Sequence, residues 1–427
     1  MNRRYSLSLS LTIISILTIQ VSTGYSLPRY ALRHADVSCM GCHVDPAGGG
    51  LRGKGGEAFE KEGLPMWKTD GPFSGQLSDN IRMGLDYRSQ ALFFQDITST
   101  TDSGKTVTNT MQLKTLQAMA LPIYLSAQLT PSINFYARYD FFTPSAFQAE
   151  AQFHFVHSSG EFWKANDVVN DAYIKAGAFM PNFGERFDDH TIYTRGGDGS
   201  ISQFGQDGLF WKPSYKDLGA ELGVTLFDHF NFTAGYFEGL EYRQSNQVAD
   251  FDTTNRMALA LRGVVATEIV PDVASVEVGG SYYYHPHAFA LLNGGTNSVN
   301  LSLTAVHGGI HIGPAAIIGE INFGKNVPTQ SSGILAKTNA LALEGTCDIV
   351  HGLTALLRYE TYQDKDTNDV VGTKVKDRIV VGLQWFPVRF IEFRPEFRVA
   401  DLTDATGGGA PTTHTETTML LQTHIFF

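Results

Sequence analysis

The chain has 427 residues, with 43 Asp+Glu against 32 Lys+Arg for a formal net charge of −11, 43 Gly and only 3 Cys. The acidic balance argues against a nucleic-acid partner, because backbone phosphates attract basic proteins, and three cysteines are too few for a disulfide framework. No internal stretch approaches the ~18 uninterrupted apolar residues of a membrane-spanning helix, which excludes a helical membrane protein.

Residues 1–26 read as a secretory signal peptide. Arg3 and Arg4 supply a basic start, Leu9 to Val21 an apolar run, and Ser22, Gly24 and Ser26 the small residues before a cleavage point. The competing reading, a short membrane anchor, suffers from the shortness of the run. Export puts the mature chain in an oxidising compartment.

A small segment, 27–76, follows. Cys39-Met40-Gly41-Cys42-His43 is a CxxCH, the spacing of c-type haem attachment. The two thiols add to the haem vinyl groups, and His43 is placed as an axial iron ligand. A Cys39–Cys42 disulfide would not need the histidine, and a closed zinc site needs four ligands where no second Cys/His pair lies nearby. Cys347, far along the chain, reads as a small buried or lipid-facing residue. One covalent haem c makes a one-electron carrier. Its sixth ligand stays open: Met66 is the best-placed downstream methionine and would raise the potential. A water-ligated site and a histidine from elsewhere, His190 among them, are the alternatives; His34 could serve a propionate instead. Asp45 to Gly50 is rich in turn residues. Glu57 to Glu62 reads as one or two helical turns stopped by Gly63 and Pro65, with Ala58 and Phe59 available to lie on the macrocycle. About 40 residues cannot build a core alone, so haem and the remaining chain must shelter them.

From about residue 78 the apolar period is two. Ile81, Met83, Leu85, Tyr87, Ala91 and Phe93 alternate with Arg82, Asp86, Arg88 and Gln90. Ile133 to Phe141 and Leu353 to Glu360 repeat the pattern, and the chain ends Thr417, Met419, Leu421, Thr423, Ile425, Phe427 on one face. Short turns near Thr130–Ser132, Asp228–His229, Val270–Asp272, Gly313–Pro314, Asp348–His351 and Phe386–Val388 alternate with long polar loops near 95–110, 242–255, 286–297, 325–333, 364–373 and 402–413. That is the rhythm of an outer-membrane barrel with short periplasmic turns and longer external loops. The strands are longer than the ~5–6 residues usual in sandwiches. The lumen should be wet, so Arg82, Arg138 and Glu320 can face water. An even strand number is required, and a strand near Gln203–Trp211 would complete it. The fold expected is all-β: a transmembrane antiparallel outer-membrane β-barrel of about 16 strands over 77–427, with a small N-terminal mono-haem c-type cytochrome segment.

Within the barrel, Phe179 to Arg195 is the least regular stretch. Asp188, Asp189 and His190 are consecutive and Glu185 is near, a donor set suited to Fe(II). A lumen loop with internal salt bridges through Arg186 and Arg195 is the simpler reading, and either places it close to the haem. His285-Pro286-His287 falls at the start of an expected external loop, His154 and His157 in another external segment, and His307 and His311 could share a strand face.

A one-haem segment fused to a barrel resembles the outer-membrane cytochrome–porins of iron-oxidising bacteria. Pro28, Tyr30 and Ala31 match that family's lead-in to CxxCH, and Leu51, Gly56, Phe59 and Gly63-Leu64 can be laid on its later positions. The sequence departs where His34-Ala35 replaces a Thr-Gly, where Gly55 replaces an aromatic, and in its Gly48–Gly50 run. The resemblance implies that the haem segment plugs the barrel from the periplasmic side, taking electrons from extracellular Fe(II) to a periplasmic electron-carrier cytochrome. Outward transfer to an external acceptor, and a diffusion or uptake porin with a redox-sensing haem plug, are the other readings. No Ser/His/carboxylate set at convincing spacing suggests a hydrolase.

Overall fold

The computed structural model describes residues 28–33, 35, 38–69, 74–100, 106–111, 115–142, 147–185, 191–195, 197, 216–239, 257–292, 295–328, 335–365, 371–404 and 412–427. Sixteen strands close one antiparallel ring. Strand β1 is Ile81–Thr100. Strand β2 covers Thr106–Met111, Thr115–Ala120 and Pro122–Thr130, all paired with β1. Then come β3 (Ile133–Asp140), β4 (Gln148–His157), β5 (Val169–Phe179), β6 (Asp217–Leu226), β7 (Phe230–Phe237) and β8 (Ala258–Val270). The ring continues through β9 (Ala274–Leu292), β10 (Gly295–Ile312), β11 (Ala315–Pro328) and β12 (Leu335–Val350). It ends with β13 (Leu353–Lys365), β14 (Val371–Trp385), β15 (Ile391–Asp404) and β16 (Thr412–Phe426). Pairing of β16 with β1, from Asp86↔Phe426 to Thr100↔Thr413, closes it and leaves no sheet edge.

Period-two alternation builds the wall. On β13, Thr354, Leu356, Arg358 and Glu360 are buried inward while Leu357 is exposed outward. Val381, Phe397 and Met419 on the next three strands are exposed likewise. An apolar exterior over a charged interior is the membrane-barrel pattern, and it places the chain in an outer membrane. No helix among the described residues is long and apolar enough to cross a bilayer, so the strands do the crossing. The short turns fall where expected, at 131–132, 227–229, 271–273, 313–314, 351–352 and 386–390.

Several expectations need correction. Strands reach further into the opposite end than polarity suggested: β1 continues to Thr100, and β9 and β10 pair through most of 286–297. A ladder needs only backbone groups, so polar side chains do not stop it. His285 is therefore a buried strand residue, with a register shift between it and Ala288. His154 and His157 lie on β4 at the short-turn end, not in an external segment. Gln203–Trp211 lies outside the described residues, and the ring closes with β5 paired directly to β6.

Protein segments fill the lumen at two levels. Towards the short-turn end sit helices α1 (Pro28–Arg33) and α2 (Lys54–Glu62) with the turn between them. Further in, residues 180–185 and 191–195, which follow β5, pack against the wall. Glu320 is accordingly buried against this second segment instead of facing water.

Candidate functional site

The motif is built on one tight turn. Ser38 caps it by accepting from the Met40 amide at 3.3 Å, and the Cys42 and His43 amides both donate to the Cys39 carbonyl. Residues three apart on a helical turn share a face, so the thiols of Cys39 and Cys42 belong to one side, with His43 next to them. The two cysteines are not joined by a disulfide. From there the chain doubles back: Val44 donates to Leu51 at 3.0 Å, Gly53 to Cys42 at 2.8 Å, and His43 bridges to Arg52.

The intervening Gly48, Gly49 and Gly50 all have positive φ, at 82°, 79° and 64°, a conformation that costs other residues steric energy. A side chain at Gly48 would also press on Cys39 Sγ, and one at Gly50 would strike the hydroxyl of Tyr136. The glycine run that departs from the iron-oxidiser pattern is thus the fold-back that lets the motif loop reach the barrel wall. Leu51 and Val44 pack there against Tyr124 and Tyr136.

Polar latches hold the plug around the ring. Asp45 Oδ1 accepts from the Ala47 amide at 2.9 Å and from Lys175 Nζ at 3.0 Å. That lysine side chain is 0% exposed, lies 3.4 Å from Glu221 and sits over the Phe179 ring. Arg33 meets Asp348 at 2.5 Å, and Glu57 meets Arg82 at 2.6 Å. Glu60 lies between Arg52 at 3.3 Å and Arg389 at 3.8 Å. Ser275 donates to the Leu32 carbonyl, and Leu32 packs on Ala316 and Ile318. Phe59 is buried with Tyr30, Leu64, Phe386 and Phe426 at the apolar rim, while Ala58 is exposed. Met66 is half-buried at the rim, its amide donating to the Phe386 carbonyl at 2.7 Å and its backbone against Gly352. Motif and methionine therefore sit against different arcs of wall, β1–β3 with β5 for the one and the β12–β13 and β14–β15 turns for the other.

Of the second proposed donor set, Asp188, Asp189 and His190 lie outside the described residues. Their flanks are described. Tyr193 N donates to Glu360 at 2.9 Å, Arg378 donates to Glu360 and to the Thr191 carbonyl, and the Arg378 guanidinium sits 4.2 Å over the Tyr193 ring. Arg195 lies 3.9 Å from Glu320 and donates to the Phe183 carbonyl, the internal ion pairing expected of a lumen loop. Glu185 reaches His307, at 3.2 Å, which is itself 3.7 Å from Glu277. Burial pushes the Glu185 carboxyl up, but the His307 hydrogen bond and the nearby Arg262 outweigh it and hold it well below the usual range. His307 and His311 do share the lumen face of β10.

Sequence reasoning missed Asp45, Lys175 and Asp348. Nothing along the chain marks them, because their partners are distant: Asp45 and Lys175 are 130 positions apart and Arg33 and Asp348 are 315. Only the inward position of Lys175 in an alternating strand was available as a signal.

No family model and no curated protein matches the sequence. Among solved structures the chain is similar to the outer membrane channel DcaP of Acinetobacter baumannii, at 13% identity and TM-score 0.49, over 83% of this chain and 100% of that one. It is similar also to OprB of Pseudomonas putida, at 9% identity and TM-score 0.46, over 82% and 94%. A third is OmpT of Vibrio cholerae, at 11% identity and TM-score 0.44, over 83% and 100%.

Proposed function

We propose that this protein is an outer-membrane electron conduit of the cytochrome–porin kind, with haem c attached at Cys39 and Cys42 and His43 as axial ligand. The observation that carries the reading is the placement of a CxxCH turn inside the mouth of a membrane barrel, latched to the wall by Asp45–Lys175 and Glu57–Arg82. The donor set fits the group: two thiols one helical turn apart, followed at once by an imidazole. When bound, haem c supplies one-electron chemistry at that turn. The chain's own part is to hold the turn still, through the buried latches, and to exclude water, through Tyr30, Phe59, Phe386 and Phe426. Met66 serves as sixth ligand only if it leaves its own arc of wall, and water or a histidine takes the position otherwise. The short-turn end faces the periplasm, so a periplasmic cytochrome is the partner there, and extracellular Fe(II) the donor from the other side.

The test is anaerobic addition of Fe(II) to the oxidised, detergent-purified protein. Rapid appearance of sharp reduced c-type bands supports iron as donor. A haem reducible by dithionite but indifferent to Fe(II) keeps the conduit and removes iron, and absence of any haem spectrum from a haem-attaching host removes both. One observation favours a second reading: a ring of sixteen strands is wide enough for an aqueous channel, as a porin with a redox-sensing plug requires. In a porin, solute flux survives Cys39→Ala/Cys42→Ala; in a conduit, electron transfer is lost.

A further inference from the structure

Two β-bulges bracket the short-turn end of the β4–β5 hairpin, one between His154 and Val156 on β4 and one between Val169 and Asp171 on β5. In a regular strand, residues three apart point to opposite faces, which would send His157 to the lipid side when His154 faces the lumen. The β4 bulge adds the residue that returns His157 to the lumen, and bulges of this kind re-aim side chains beside functional sites. The result is a convergence that sequence spacing hides. His154 Nδ1 lies 3.2 Å and His157 Nδ1 3.5 Å from Asp171 Oδ1, and ligand atoms of all three are within 4.8 Å of one another. His154 and Asp171 are buried, and Asp171 Oδ2 is buried with no hydrogen-bond partner among the described residues. His157 keeps 33% of its side chain exposed, which leaves a way in from the short-turn end.

We propose that His154, His157 and Asp171 form a binding site for a divalent transition-metal ion of the zinc and iron(II) class. Two imidazoles and one carboxylate on a single face are the donors such ions take, with further coordination positions left open. The neighbourhood ties the site to the plug. The His154 ring lies 5.6 Å from that of Tyr173, whose hydroxyl donates to Glu221 at 3.0 Å, and Glu221 shares Lys175 with Asp45, two residues beyond His43. A ring contact and three successive polar contacts therefore connect the three side chains to the motif loop. The site does not depend on the haem reading, and its test does not read haem.

Full-length protein in detergent, stripped with chelator, is dialysed against Zn2+ and its metal content measured, with heat-modifiable migration confirming a folded barrel. One zinc per chain bound by the wild type and lost in His157→Ala, with affinity down about a hundredfold or more, is the expected result. His157 is at the rim, so this variant should fold even where His154→Ala does not. His351→Ala, at another short turn, should bind as the wild type does. X-ray absorption at the zinc edge should show two imidazoles. Equal zinc binding by wild type and His157→Ala, or an edge spectrum without imidazole scattering, overturns the proposal and leaves an uncomplexed His–Asp–His clasp.

Discussion

At the scale of single residues, the plug rests on positions whose chemistry is decided by contact rather than by type. Gly50 combines a φ of 64° with the Tyr136 hydroxyl in the space a side chain would take. Gly50→Ala should therefore loosen the motif loop by about 1–3 kcal/mol through backbone strain and collision, seen as faster protease cleavage within 38–64 while the barrel still migrates as folded. Unchanged cleavage would mean the fold-back is not held by this position. Glu185 carries a pH dependence with a definite sign. Its folded-state carboxyl is depressed, so its contribution is present above its ordinary value of 4.5 and lost as pH falls through the lower folded one. Hydrogen exchange across 180–185, corrected for intrinsic rate, should show protection falling below about pH 4.5, and Glu185→Gln should flatten that slope.

At the scale of elements, the lumen segment is held by an ion cluster that belongs to three different parts of the chain. Glu360 faces Arg358 at 2.7 Å, Arg378 at 2.7 Å and the Tyr193 amide, all buried. Removing Glu360 takes the carboxylate from Arg378 and leaves Arg358 with Glu344, and breaking a buried pair in this way costs about 3–5 kcal/mol. Glu360→Ala should release the segment after β5, read as new cleavage within 180–197. Replacing Glu360 and Arg378 together by apolar residues should cost less than Glu360→Ala alone, because fewer charges are left uncompensated; a double variant worse than the single would show that the cluster is not what holds the segment. The same scale explains what was legible beforehand. Alternation marks β1, β13 and β16 because inward and outward residues differ in kind along them, and turn chemistry marks the short ends. It does not mark the bulge at His154–Val156, which costs one residue of register and leaves composition untouched, nor the interruption of β2 at Leu121. The CxxCH is legible because its residues are contiguous. The latches of Asp45 and Arg33 are not, because each is completed by a strand far along the chain.

At the scale of the whole molecule, the plug and the lumen segment act on one conduit in sequence. Water and ions entering from the long-loop end meet residues 180–185 and 191–195 first and the helices with their motif turn second. Resistances in series add, so with two seals of comparable resistance the release of either one alone leaves the other in control of flow. Glu360→Ala alone and Arg33→Ala/Lys175→Ala alone should each raise single-channel conductance in planar bilayers only slightly, while the combined variant should raise it by several times the sum of the separate effects. Such an outcome assigns each segment a seal of its own, as an electron conduit needs if the membrane is to stay closed to solutes while charge crosses. Full opening by the plug variant alone would place the only seal at the short-turn end, and a wild-type conductance already at that of an open sixteen-strand pore would favour the porin.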